Sequence, residues 1–244
     1  MGSFSAWFDS PAGRQALDEE TRLLDDVYST LFGYWIVQVG AWGRDSELLN
    51  GCKIRGRALV GGTCGDGCGL ISDAGALALE SYSVDAVLLP HTLERSSDPH
   101  AVLREAERVL VGEGRVLIFG FNPWSFWGGR RRLASHAHLP WATGRYIGEW
   151  RMKDWLGLLG FEVIRVRRYL HGLPSEHPAL LHRLEFTRTL GRNCWPALAG
   201  GYFITARKRV TTLTPIKPLR VRREKSLVRG LARPTTRTTP TCRG

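Results

Sequence analysis

Apolar residues recur at helical spacing after Ser10-Pro11, at Leu17, Leu24, Tyr28 and Leu31 with Thr21 among them, and Gly33 ends the series. Serine caps free N–H groups and proline suits the first helical position, so the pattern predicts a helix that opens at Ser10-Pro11 and closes at Gly33. Residues 34–39 (YWIVQV) then run almost unbroken in apolar character up to Gly40, which predicts a strand buried on both faces. Further short runs at 57–60, 70–72, 83–89 and 115–121 read as strands. Between the last two, Asp98-Pro99 starts a helix whose apolar face is Val102, Leu103, Ala106, Val109 and Leu110, broken at Gly112-Glu113-Gly114. A helix over 150–159 stops at Gly160, and 161–170 and 202–208 are two late strands with no clear helix between them, suited to antiparallel pairing. Alternation of this kind predicts an α/β fold with a largely parallel sheet and helices on its faces.

Composition divides the chain rather than describing it as a whole. The formal charge is +11, from 34 Lys and Arg against 23 Asp and Glu among 244 residues. Residues 207–244 hold 12 of those cations and one acid, Glu224, so residues 1–206 carry 22 charges of each sign and sum to zero. A uniformly basic nucleic-acid-binding domain is excluded. The expected organisation is an N-terminal helical segment (1–33), a folded domain (34–210) and a basic tail (211–244) rich in Thr, Arg and Pro, which reads as disordered. There is no run of about 18 apolar residues and no signal-peptide layout, so a cytoplasmic location without a transmembrane segment is expected. The five cysteines are odd in number and read as free thiols; Cys64 and Cys68 lack a second Cys or His pair to complete a metal site.

In an open α/β sheet, ligands bind beyond the carboxyl ends of the parallel strands. Here those positions are Gly40-Ala41-Trp42-Gly43, the glycine-rich stretch 61–69, Asp73-Ala74, Pro90-His91 and Asn122-Pro123. Glycine lets a backbone approach a ligand closely, and an acid after a later strand accepts hydrogen bonds from an adenine or a ribose, so the set suits an adenosine-containing cofactor. Nicotinamide chemistry is disfavoured by the absence of Gly-x-Gly-x-x-Gly.

The run Asp73-Ala74, residues 83–87 (SVDAV), His91-Thr92-Leu93-Glu94, Asp98-Pro99, Leu103-Arg104-Glu105, Arg108-Val109-Leu110, Gly112, Gly114-Arg115-Val116 and Phe121-Asn122-Pro123 resembles class I S-adenosylmethionine-dependent methyltransferases. Within these it is similar to the type 11 small-molecule branch, and to a little-characterised bacterial group with the same short second strand and Asn-Pro-x-Ser-x-x-Gly segment (Asn122 to Gly128). The resemblance implies a Rossmann-like seven-stranded sheet with the last strand inserted antiparallel, and S-adenosylmethionine as cofactor. Carried over position by position, it puts Gly40, Ala41, Trp42 and Gly43 at the methionine part of the cofactor, Asp73 and Ala74 at the adenine, and Pro90 and His91 beside the transferable methyl. Two departures stand out. Trp42 occupies a glycine position of the first motif, and Gly61-Gly62 follows the second strand where the family has a ribose-binding acid, leaving Asp45, Glu47 and Asp66 as alternatives.

Methyl transfer is an in-line displacement in which a protein positions the acceptor and, where needed, removes its proton. His91 is the candidate catalytic base. Trp124, Phe126, Trp127 and Trp141 could stack on a planar acceptor and Arg130, Arg131 and Arg132 could neutralise an anion; a hydrophobic lid with a solvated basic rim is the competing reading. Trp7, Trp35, Trp150, Trp155 and Trp195 are expected in the core. The leading expectation is a methyltransferase acting on a small molecule. Its alternatives are a degenerate methyltransferase-fold binding protein and a nucleic-acid methyltransferase that uses the tail on phosphates, or on an anionic surface.

Overall fold

In the computed structural model, which describes residues 8–43, 47–62, 69–125, 145–171 and 199–210, the alternating pattern becomes one seven-stranded sheet. Its strands are β1 (Trp35–Val39), β2 (Gly56–Gly61), β3 (Leu70–Ile71), β4 (Val84–Pro90), β5 (Leu110–Phe121), β6 (Phe161–Tyr169) and β7 (Gly201–Lys208). Their spatial order is β3-β2-β1-β4-β5-β7-β6. The first five pair in parallel, while β7 runs antiparallel between β5 and β6. This is a Rossmann-like class I methyltransferase architecture, and the order reverses direction between β1 and β4, where such sheets open a ligand crevice.

Both faces of the central strands are apolar, which explains the unbroken hydrophobic runs. Ile36, Ala86, Leu88, Leu117 and Phe119 face helix α1 (Pro11–Tyr28), through its residues Ala16, Leu17, Leu24 and Val27. Val37, Val39, Val87, Leu89, Val116 and Ile118 face α3 (Pro99–Val109) and α4 (Glu149–Leu158) on the other side. Between β4 and α3 lies a single helical turn, α2 (Thr92–Arg95).

The anticipated caps are present: Ser10 accepts from the Gly13 N–H at 3.1 Å and Asp98 from the Ala101 N–H at 3.0 Å. Three boundaries differ from the pattern. Helix α1 ends at Tyr28, and Thr30 and Leu31 continue it only as tighter turns, donating to Val27 and Tyr28 carbonyls. The Gly112-Glu113-Gly114 break lies inside β5 as a bulge, with the register stepping from Val84 opposite Leu110 to Ala86 opposite Arg115 and Glu113 at a positive φ of 66°. Between β1 and β2, the only helical turn among the described residues is a 3-10 turn, Glu47–Leu49. Asp85 fixes the entry to β1, its carboxylate accepting from the Tyr34 and Trp35 N–H groups at 2.7 and 2.9 Å.

Two tryptophans expected in the core are exposed. Trp35 opens β1 with its ring over Gly56, where a Cβ would lie 2.5 Å from the indole, and Trp150 sits on the solvent side of α4. Trp155 is partly buried against the α3/α4 face. Asp45, Cys64, Asp66, Cys68, residues 126–144, Trp7, Trp195 and the tail 211–244 lie outside the described residues.

Candidate active site

The chain leaves β1 through a glycine turn. Gly40 and Gly43 have φ of 92° and 80°, in the left-handed region that glycine adopts without strain. Packing adds a second reason at Gly40: a Cβ there would meet the Thr92 hydroxyl at 2.8 Å. That hydroxyl donates to the Val39 carbonyl, and Arg95 donates to the Ala41 carbonyl at 3.1 Å, so the turn is braced from α2. Ala41 is exposed at its crest, and Gly40 and Gly43 are half-buried. Just before the turn stands Gln38, buried on the α1 side of β1. Its Nε2 donates to the Gly40 carbonyl at 3.1 Å, while its Oε1 has no hydrogen-bond partner among the described residues.

Trp42 turns inward from this loop. Its indole Nε1 donates to Glu20 Oε2 at 2.6 Å, and its ring lies against Phe8 (5.0 Å), His91 (4.2 Å) and Phe121 (6.2 Å). The bulky substitution in the glycine motif is therefore absorbed by the packing of α1 and leaves the crest of the turn clear.

His91 follows β4 in a left-handed backbone conformation, φ 53° and ψ 17°, which costs a non-glycine residue about 1–2 kcal/mol. Both ring nitrogens face carboxylates: Nε2 lies 3.0 Å from Glu20 Oε1 and Nδ1 3.1 Å from Glu94 Oε2. The Tyr169 hydroxyl donates to Glu20 Oε1 at 2.8 Å and lies 3.2 Å from His91 Nε2. The Phe121 N–H donates to Glu94 Oε1 at 2.6 Å. Trp42 covers one part of the ring and Phe121 stacks on it at 4.0 Å. Burial alone would push the imidazole pKa down, but hydrogen bonds to Glu20 and Glu94, and then their charge, raise it to about 9. Near neutral pH His91 is therefore an imidazolium donating two hydrogen bonds, and it can act as a base only after giving up one of those protons. Burial, followed by the charge and hydrogen bond of Glu20, pushes the Tyr169 hydroxyl well above its ordinary value.

The loop after β3 is held by its own hydrogen bonds. Asp73 is exposed, and its Oδ1 accepts from the Gly75 N–H at 2.9 Å, so the carboxylate shapes its own turn. The Ser72 hydroxyl closes that turn by donating to the Ala76 carbonyl at 2.6 Å and accepting from the Ala78 N–H at 3.0 Å. Arg108 then ties the loop to α3, donating to the Leu77 and Leu79 carbonyls at 2.9 Å each and to Glu105. Ala74 is half-buried beside Asp73, and Pro90 is buried as the last residue of β4. Gly61 and Gly62 supply no side chain after β2. Among the described alternatives for the ribose, the Glu47 carboxylate comes within 3.8 Å of where a Gly43 Cβ would stand.

Gly40, Trp42 and His91 are thus brought together with Glu20, Tyr169 and Gln38, whereas Asp73 and Ala74 stand in a separate turn after β3. Sequence reasoning missed the second group, although each had a signal. Glu20 falls three after Leu17 and four before Leu24, inside the apolar stripe of α1, and Gln38 interrupts an otherwise apolar strand. Tyr169, at the end of a late strand, carried none.

A model described as a methyltransferase domain matches residues 63–118. The chain is 31% identical over 224 residues to the uncharacterised protein YafS of Escherichia coli K12, covering 91% of this chain and 88% of that one. Among solved structures it is similar to an S-adenosylmethionine-dependent methyltransferase from Archaeoglobus fulgidus, with TM-score 0.56 and 19% identity over 78% of this chain and 94% of that one. It is also similar to the [4+2]-cyclase SpnF, with TM-score 0.52 and 17% identity over 80% of this chain and 82% of the cyclase. At such identities the structural likeness speaks for the fold.

Proposed function

Since the chain belongs to the family of YafS and to the class I S-adenosylmethionine-dependent methyltransferase fold superfamily, we propose that it transfers a methyl group from S-adenosylmethionine to a small-molecule acceptor. The observation that carries this reading is the glycine turn after β1, with two left-handed glycines, an exposed crest and the unpartnered Gln38 Oε1 behind it. A buried acceptor left unsatisfied costs about 1–3 kcal/mol, and a cofactor ammonium is a donor of the kind that would satisfy it. The residues therefore fit the group: the Gly40–Gly43 backbone and Gln38 for its amino-acid end, Asp73 and Ala74 for its adenine, and Glu47 as a candidate for the ribose. S-adenosylmethionine, when bound, supplies a methyl carbon on a sulfonium, and its in-line transfer to an acceptor heteroatom leaves the electron pair on sulfur as a thioether, with the acceptor proton released.

The chain's own part is positional. Thr92 and Arg95 hold the turn, Arg108 and Glu105 hold the adenine-side loop, and the His91 imidazolium pins the C-terminal end of β4 to α1 through Glu20. In this reading His91 becomes a base only for an acceptor whose binding displaces Glu20 or Glu94.

Calorimetric titration with S-adenosylhomocysteine tests the proposal. We expect binding in the micromolar range, weakened about tenfold by Asp73→Ala, the equivalent of one charge-assisted hydrogen bond. No heat at millimolar ligand overturns it. A second reading, a binding protein of the same fold without methyl transfer, draws on the enclosure of His91 and on the ability of one fold to host several chemistries. Under that reading Trp42→Gly, which returns the family glycine, leaves cofactor affinity undetectable in variant and parent alike.

A further inference from the structure

Beyond the end of β5 lies a cavity of about 620 Å³, a volume suited to a small organic ligand. Trp124, Trp150 and Tyr146 supply aromatic wall, and Arg151, Arg168 and Glu149 supply charge. The two indoles are exposed by 77% and 82%, unusual for side chains of that size unless something covers them. The backbone N–H of Trp124 donates to Asn122 Oδ1 at 3.1 Å, which fixes the turn that carries it. The charges are unequal. Glu149 is engaged by Arg168 at 2.7 Å and by Lys153 at 2.5 Å, whereas Arg151 has no carboxylate partner among the described residues. Two guanidinium groups line the cavity against one carboxylate, and Lys153 on that carboxylate adds a third cation, so the site carries a positive excess that calls for an anion. The cavity also adjoins the candidate active site: Tyr146 lies 5.7 Å from Phe121, ring to ring, and Phe121 stacks on His91 at 4.0 Å.

We propose that this cavity binds a planar aromatic carboxylate, with the ring against Trp124, Trp150 and Tyr146 and the anion on Arg151, and that such compounds are the acceptor class. The acceptor role rests on the methyltransferase reading above; the binding site does not. Guanidinium and carboxylate pair through two parallel N–H···O bonds, and indole faces offer stacking area with little side-chain entropy to lose.

The test uses 2-naphthoate and its neutral isostere 2-naphthamide, titrated into the full chain by calorimetry and by tryptophan emission, alongside S-adenosylhomocysteine. Naphthoate should bind at least tenfold more tightly than the amide. Arg151→Met should remove that preference, while Trp124→Ala and Trp150→Ala should weaken both ligands. All three side chains are exposed, so the variants should fold, and unchanged S-adenosylhomocysteine affinity would verify it. Equal binding of acid and amide, or an Arg151→Met variant that keeps the preference, overturns the site. Loss of naphthoate binding with S-adenosylhomocysteine binding intact overturns this inference alone; naphthoate binding without S-adenosylhomocysteine binding overturns the acceptor role and the methyltransferase reading with it.

Discussion

A histidine held between two carboxylates keeps its proton to higher pH than a free one, and the stability it lends must follow that proton. His91 is raised from 6.5 in the unfolded chain to about 9 in the folded one, with Glu20, Glu94 and Tyr169 as the titratable groups facing it. The contribution is therefore complete below about pH 6.5 and is lost as pH rises through about 9, amounting to the order of 3 kcal/mol. Urea unfolding between pH 6 and 10 should show that decline. In Glu20→Gln the decline should begin at lower pH, and His91 followed by nuclear magnetic resonance should titrate nearer its ordinary value. An unshifted His91 in the variant would show that Glu20 is not what holds the proton. Glu20→Ala is more severe, about 3–5 kcal/mol, because it leaves the His91 Nε2 side and the Trp42 N–H without their buried carboxylate together, with only Glu94 remaining on the imidazolium.

At the scale of elements, the caps and the glycine turn do different work. The Asp98 cap of α3 is exposed, and its loss should cost about 1 kcal/mol without reaching the crevice, so Asp98→Ala should lower the urea midpoint and leave S-adenosylhomocysteine affinity unchanged. Gly40→Ala should lower the urea midpoint and weaken S-adenosylhomocysteine binding as well, since a Cβ there is strained in φ and collides with Thr92. These two positions also show how far the pattern could be read. Asp98-Pro99 names a helix start because capping is local chemistry. Gly40 is legible only as a glycine after a strand; that it needs no side chain because Thr92 reaches across to Val39 depends on β4 lying beside β1.

For the whole molecule, the excess charge of +11 belongs to residues 207–244 and the rest of the chain is neutral. Among the described residues no helix is long and apolar enough to cross a membrane. Cofactor binding by the crevice should accordingly not depend on the tail. A chain ending at Val210 should keep its S-adenosylhomocysteine affinity within about twofold, which is the scale of mutational neutrality. If the tail serves as a handle on phosphates, the same truncation should abolish a salt-sensitive retention on single-stranded DNA that the full chain shows. A loss of cofactor affinity instead would place the tail's charges in the energetics of the crevice.

The sequence by itself determined the strands, their apolar faces and the helix starts, because hydrophobic period, caps and turn glycines act over a few residues. It also located the charge. Only the tertiary structure decided what Trp42 and His91 do, since their partners Glu20 and Tyr169 lie 22 and 78 positions away and meet them through the packing of α1 against the sheet. It alone showed a bare turn crest, a histidine buried between two carboxylates and an aromatic cavity beyond β5. Those depend on which side chains are brought close enough to exclude water, and that is a property of the assembled layers.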